Sequence, residues 1–273
     1  MSGNGERLTP LVARVLAPNP SPMTLTGTNT YLIGRAEVAV VDPGPDLPEH
    51  VEAIVENLRL LGRQAVALVT HHHDDHLPAA RRLRERLGMP IAGHPELPSV
   101  DRPLSHDEEL GLADVQIRAL HTPGHTWDHV SYFLVDERAV FAGDLVAGTG
   151  SLVVGPGRGE LAASLRSLKL LANVEPDVIY PGHGPVVADA RVKLAEYIAH
   201  RAERERQVLD ALAPGRRTIA DLVERIYVDI VPGLREHAAR NVQAYLFKLE
   251  DEGQVAQDGR YWRLSAPART DAN

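Results

Sequence analysis

Apolar positions in the first part of the chain come in short runs cut off by Pro, Gly and Asn. Residues 11–18 (LVARVLAP), 29–34 (NTYLIG) and 36–44 (AEVAVVDPG) read as strands. Between 47 and 61 the period changes: Val51, Ile54, Val55, Leu58 and Leu61 recur at helical spacing. The continuous apolar run at 64–70 (QAVALVT) predicts a strand buried on both faces. It leads directly into His71-His72-His73-Asp74-Asp75-His76. Residues 78–87 predict a helix with Pro78 in its first turn and Gly88 at its end. Strands are expected at 89–93, 115–120, 130–135, 138–143 and 177–180, and helices at 160–172 and about 188–212. This loose alternation, with hairpins among the strands, predicts mixed sheets covered by helices.

The pattern restarts near residue 216. A helix from 218 with Thr218 as N-cap, a Pro232-Gly233 turn, a helix over 234–253 and a hairpin turning at Asp258-Gly259 follow one another. Helix, turn, helix, hairpin is the order of a winged helix. The expected organisation is a large domain over 1–213, a winged-helix-like domain over 214–265 and a disordered tail over 266–273. No internal repeat is present.

Composition narrows the class. Hydrophobic residues make up 44% of the 273, enough for a core, but aromatics only 4%, so the core must be aliphatic. The formal net charge is −8, which argues against a partner that must be neutralised by a basic face. The imbalance is local: residues 1–190 hold 15 Lys+Arg against 24 Asp+Glu, residues 191–273 hold 14 against 13. The absence of cysteine removes disulfides and thiolate zinc ligation, and suits a cytoplasmic protein. The first residues lack the apolar core of a signal peptide. No stretch approaches the ~18 apolar residues of a membrane span. No membrane association is therefore expected.

The chemistry is concentrated at predicted strand ends. His71–His76 puts four metal-competent side chains, His71, His73, Asp75 and His76, within six residues after a buried strand, where a tight loop can aim them at neighbouring points. His72 and Asp74 alternate away and should face outward. In HTPGHTWDH (121–129), Pro-Gly sets a turn that presents His125, while His121 reads as structural. FAGD ends a strand with Asp144, whose two oxygens can span two cations. YPGHG repeats the strand, Pro-Gly, His design with His183, between Gly182 and Gly184. Nitrogen and carboxylate ligation suits Zn²⁺, with Fe or Mn also possible. Asp42 in VVDPG is a turn residue or a group that orients a ligand histidine. Asp128 and His129 are candidates for the same supporting role, for a pocket wall, or for structure alone. His50, His94, His106, His200 and His237 are scattered and read as surface or core.

With these motifs the chain resembles the metallo-β-lactamase superfamily, whose pattern T-H-x-H-x-D-H falls on Thr70–His76. The resemblance implies an αββα sandwich, with one metal on His71, His73 and His125, a second on Asp75, His76 and His183, and Asp144 bridging both. TLTGTNTYLIG (24–34), HTPGHTWDH, FAGDLVAGTG (141–150) and YPGHGPV (180–186) are similar to the β-lactamase-like protein 2 subgroup, which also carries a C-terminal winged-helix-like unit. The sequence departs from the wider superfamily at Leu77-Pro78, where Gly-Gly often follows the last histidine of the motif.

Two zinc ions in such a site lower the pKa of a water between them from 15.7 to about 7. The expected chemistry is attack of a metal-bridging hydroxide on a carbonyl substrate of thioester, ester or amide type, with Asp75 as catalytic proton acceptor. A small-molecule substrate is the expected partner, with a homodimer as a further possibility. The resemblance also implies single-stranded RNA cleavage as an alternative, for which Arg216, Arg217, Arg225, Arg235, Arg240 and Lys248 are the available cations. Acids interleave with those cations, favouring an ordinary solvated surface. Weak β-lactamase activity is a third reading, since Asp144 stands where dedicated β-lactamases carry Cys or Ser. Less favoured are a mono-iron persulfide-type oxidoreductase and a metal-sensing winged-helix regulator. Glyoxalase II shares the ligand set but has a different C-terminal region, and the flavodiiron proteins carry Glu in place of His73.

Overall fold

A computed structural model describes residues 5–150, 155 and 157–265. The tail expected to be disordered, 266–273, lies outside the described residues. Seven strands form the first sheet in sequence order: β1 (Gly5–Arg7), β2 (Val12–Leu16), β3 (Asn29–Ile33), β4 (Glu37–Val41), β5 (Arg63–Leu68), β6 (Ile91–Gly93) and β7 (Arg102–Pro103). Five form the second, ordered β12 (Val178–Pro181), β11 (Ala139–Gly143), β10 (Val130–Leu134), β9 (Gln116–His121) and β8 (Glu108–Gly111). Helices α1 (Pro48–Leu61) and α2 (Pro78–Leu87) cover the outside of the first sheet, and α3 (Glu160–Asn173) and α4 (Ala190–Leu212) that of the second. This is the αββα sandwich.

The period-2 geometry of a strand explains the layering. In β4, Ala39 and Val41 point between the sheets, where they join Tyr31, Leu68, Ile117, Tyr132 and Phe141, while Val38 and Val40 pack under α1 and α2. In β11, Ala139 and Phe141 face the first sheet, and Val140 and Ala142 face α3 and α4. Strands buried on both faces read as unbroken apolar runs. Tyr31, Phe141 and Tyr180 stack at centroid distances of 4.9–5.2 Å, a small aromatic node in an otherwise aliphatic core.

Three strands were not signalled by the pattern: β1, β7 and β8. Each is an edge strand of two to four residues with polar or charged side chains (GER, RP, EELG). Edges exposed to water need no apolar alternation and are protected by charge and proline. The run at 64–70 also leaves the sheet early, at Leu68, which frees Val69 and Thr70 to enter the histidine loop.

The C-terminal unit comprises α5 (Ile219–Ile226), α6 (Arg235–Asp251) and a hairpin of β13 (Val255–Asp258) and β14 (Tyr261–Leu264). Thr218 caps α5 reciprocally: its hydroxyl accepts the Asp221 N–H, and Asp221 accepts the Thr218 N–H. Its core is shared. Leu161 of α3 and Val208, Ala211 and Leu212 of α4 pack with Leu222, Val242, Tyr245, Leu246 and Trp262. Among the described residues no helix is long and apolar enough to cross a membrane.

Candidate metal centre

Five loops at one end of the two sheets supply the site. Val41 leads from β4 into Asp42, β5 into Thr70–His76, β9 into the Pro123-Gly124 turn before His125, β11 into Asp144, and β12 into Gly182-His183-Gly184. The ligand atoms fall into two groups that can each hold a metal ion: His71, His73, His125 and Asp144, and Asp75, His76 and His183. Within each group the atoms lie within 4.8 Å of one another. His73 Nδ1 is 3.0 Å from both His71 Nε2 and His125 Nε2. His183 Nε2 is 3.2 Å from Asp75 Oδ2. Asp144 stands between the groups: Oδ1 lies 3.4 Å from His183 Nε2 and 3.5 Å from His76 Nε2, while Oδ2 lies 3.5 Å from His125 Nε2.

The residues fit a cation. His76 is fully buried, yet its Nε2 has no hydrogen-bond partner and points at the carboxylates of Asp75 and Asp144. A buried polar atom without a partner is costly. A positive ion among these nitrogens and oxygens would satisfy it, with no thiolate required.

The supporting contacts decide which nitrogens face inward. Asp42 sits at φ 46° and is buried. It accepts the Thr70 N–H at Oδ1 and the Thr70 hydroxyl and His76 Nδ1 at Oδ2, all at 2.8 Å. Because the Thr70 hydroxyl donates to Asp42, it is left to accept from His71 Nδ1, 2.9 Å away. Asp42 and Thr70 therefore place the protons of His76 and His71 on Nδ1 and leave both Nε2 atoms free to ligate a metal ion. Of its two sequence readings, Asp42 takes the orienting one. His129 is fully buried, accepts the Asp144 N–H at Nε2 and bonds Thr122 Oγ1 through Nδ1. Asp128 does not touch a ligand. Its Oδ1 meets His72 Nδ1 at 2.9 Å, so His72 is turned toward the HTPGH segment rather than wholly outward.

Burial and charge act on each titratable group. Burial, reinforced by the neighbouring histidines His76 and His129, holds His71 well below the ordinary imidazole value. Burial pushes His125 down to about 4 and His129 to about 3. Burial also opposes protonation of His76 and His183, but the carboxylates outweigh it. Asp42 and Asp144 raise His76 to about 9, and hydrogen bonds to Asp144 and Asp75 raise His183 to about 10. Asp144 resists the upward push of burial because His76 and His183 hold its carboxyl far below the carboxylate range. Metal-free, the second group thus carries protons where the first does not, and an ion bound there would have to displace them.

Asn29 and Tyr31 gave no sequence signal of their own, whereas the glycines around His183 did. The Asn29 amide donates to Pro181 O at 3.0 Å and Gly184 O at 2.9 Å, clamping the turn that carries His183. Tyr31 donates to Pro181 O from the same strand. Gly182 is needed for space: a Cβ there would lie 2.7 Å from Asp144 Oδ1 and 2.9 Å from His76 Cε1. Gly184, at φ 83°, supplies the left-handed bend. His50 is buried under Asp42, where its Nε2 bonds Thr30 Oγ1, which in turn donates to Asp42 O.

This sandwich, with its ligand loops at one end of the sheets, defines the class: the chain belongs to the metallo-beta-lactamase superfamily, whose model matches residues 23–183. Residues 218–262 match the beta-lactamase associated winged helix domain. Within the superfamily, the chain is 34% identical to a beta-lactamase-like protein 2 homolog of Drosophila melanogaster, over 91% of each chain. It is 33% identical to an atrochrysone carboxyl ACP thioesterase of Aspergillus chevalieri, over 92% of this chain and 84% of that one. A crystal structure of a metallo-beta-lactamase family protein from Thermus thermophilus superposes with a TM-score of 0.76 at 27% identity, covering 94% of this chain and all of the other.

Proposed function

We propose that the chain is a dinuclear zinc hydrolase acting on a carbonyl substrate of thioester or ester type. The observation that carries this reading is the placement of Asp144, one oxygen toward each of two ligand groups. His71, His73 and His125 would hold one ion, Asp75, His76 and His183 the other, with Asp144 shared. Bound there, the ions would supply Lewis acidity and an acidified water at neutral pH.

The chain's own groups prepare the rest. Asp42 and Thr70 fix the ring tautomers of His76 and His71. His129, kept neutral by burial, holds the backbone of Asp144. Asp75 is partly exposed, and its Oδ2 faces His183. Without metal, burial raises its pKa, but the hydrogen bond from His183 and the charge of His76 prevail and lower it. Its second oxygen can accept a proton from an attacking water and pass it to the leaving thiolate or alkoxide.

Two further observations support a small acyl substrate over single-stranded RNA. A relative similar over nearly the whole chain is named as a thioesterase. Several cations of the C-terminal unit face acids: Arg235 meets Glu224, Arg240 meets Glu236, and Lys248 meets Glu205 and Glu252. Such pairs lower the positive charge this unit could offer a phosphate backbone. The test is metal content by mass spectrometry alongside hydrolysis of a thioester, a lactam and a single-stranded RNA, with Asp144→Ala as control. Near two zinc ions per chain and Asp144-dependent thioester cleavage is the expected result. One iron per chain with no hydrolysis would overturn the reading.

A further inference from the structure

The chain has two tryptophans, used in opposite ways. Trp262 is 2% exposed in the core of the C-terminal unit, whereas Trp127 is 52% exposed beside the metal centre. Trp127 lies two residues after His125. Its indole stacks on His72, between His71 and His73, at 6.1 Å and 25°, and forms a T-shaped pair with His94 at 5.5 Å and 80°. His72 in turn contacts the His73 ring at 5.0 Å. The segment is held on both sides: the Trp127 carbonyl meets His121 Nε2 at 3.2 Å, and Asp128, wholly buried, bonds His72. His121 and His94 stack at 4.8 Å. The indole is thus backed by His72 and met at near right angles by His94, with about half of its surface in water. It lies two ring steps from a candidate metal ligand. A rigid, half-exposed indole leaves apolar area in water and offers a flat π-face whose best partner is another flat ring.

We propose that Trp127 is a specificity-determining platform that stacks a planar conjugated acyl group, so that the preferred substrates are aryl or polycyclic aromatic thioesters rather than flexible aliphatic ones. This rests on the acyl-hydrolase reading above. His72 and His94 are positioning residues that hold the indole at its angle. A flexible chain can also cover an indole but loses rotational freedom in doing so, whereas a planar acyl group arrives already rigid.

Binding is tested first without hydrolysis, by NMR of the two indole N–H resonances during titration with 2-naphthoate and with hexanoate, the Trp127 signal being assigned from Trp127→Phe. Naphthoate is expected to shift the Trp127 resonance saturably and leave that of Trp262 in place, while hexanoate shifts neither. No shift at Trp127, or equal shifts at both, overturns the proposal. Hydrolysis then compares 2-naphthoyl and octanoyl thioesters of N-acetylcysteamine. The kcat/KM preference for the naphthoyl substrate should fall about ten-fold in Trp127→Ala and largely return in Trp127→Phe, whereas an unchanged preference sinks the platform. If no thioester is cleaved at all, the acyl-hydrolase reading has failed, and the NMR titration still decides whether the platform exists.

Discussion

The Nε2 atom of His129 accepts the main-chain N–H of Asp144 at 3.2 Å from a ring with no exposure to solvent. The ring also lies face-on to His71 at 5.3 Å, so one imidazole fixes Asp144 and backs a candidate ligand. His129→Ala would leave a buried N–H without its acceptor and a void behind His71. The expected outcome is folded protein destabilised by roughly 1–3 kcal/mol, with metal affinity down 10–100-fold as for other supporting residues. Chemical unfolding and competition with a chelator measure the two effects.

Asp42→Asn tests the orientation of His76. The new amide would present a donor or a single oxygen where the carboxylate now meets both Thr70 donors and His76 Nδ1. A 10–100-fold loss of affinity is expected, felt more at the His76 group than at the His71 group. Metal titration should then resolve two unequal sites. Uniform loss at both would argue that Asp42 acts on the loop as a whole.

Gly182→Ala puts a methyl 2.7 Å from Asp144 Oδ1 and 2.9 Å from the His76 ring. The site is crowded by groups that cannot retreat, since Asn29 and Tyr31 pin the turn from behind. Metal content is expected to fall below half of the unmutated protein's while circular dichroism stays unchanged. Full metal content would show that the turn can shift.

Acid should destabilise the protein partly through His50, which is 1% exposed and touches no candidate ligand. Burial lowers its pKa to about 4, below the unfolded value of about 6.5. A depressed histidine contributes stability that is complete above the unfolded value and is lost as pH falls toward the folded one, because the unfolded chain binds the proton first. Between pH 7 and pH 5 this amounts to about 2 kcal/mol. Urea midpoints of the protein and of His50→Leu at the two pH values should show the variant losing less stability on acidification by about that amount. Equal losses would remove His50 as a cause.

The candidate ligands were readable because each sits where a strand stops, and strands that stop at histidine or aspartate after an apolar run are conspicuous in sequence. Sheets covered by helices were readable because β4, β5 and β11 are apolar on both faces, while the αββα order of the layers came from the resemblance to the family. What escaped was carried by contacts between distant parts of the chain. Asn29 reaches Gly184 across 155 positions, and no local pattern encodes that meeting. Thr70 was visible as part of a motif, but its role depends on a carboxylate 28 residues earlier. Asp128 shows the converse. Its neighbourhood to His125 in sequence suggested support for a ligand, and in space it holds His72 instead. The three unread strands are short, polar and peripheral, so neither period nor propensity marks them.

Helix α4 lies in two cores at once: Leu194 and Tyr197 of its first turns under the second sheet, and Val208, Ala211 and Leu212 of its last turns among the helices and hairpin of the C-terminal unit. Lys248 reaches Glu205 on the same helix, and Arg158, ahead of α3, reaches Glu250. A shared helix is a beam common to two rooms, and neither room can be taken down without loosening the other. Cutting the chain after residue 213 would strip the cover from Leu161, Val208 and Leu212, so the shortened protein should aggregate rather than survive as a catalytic fragment.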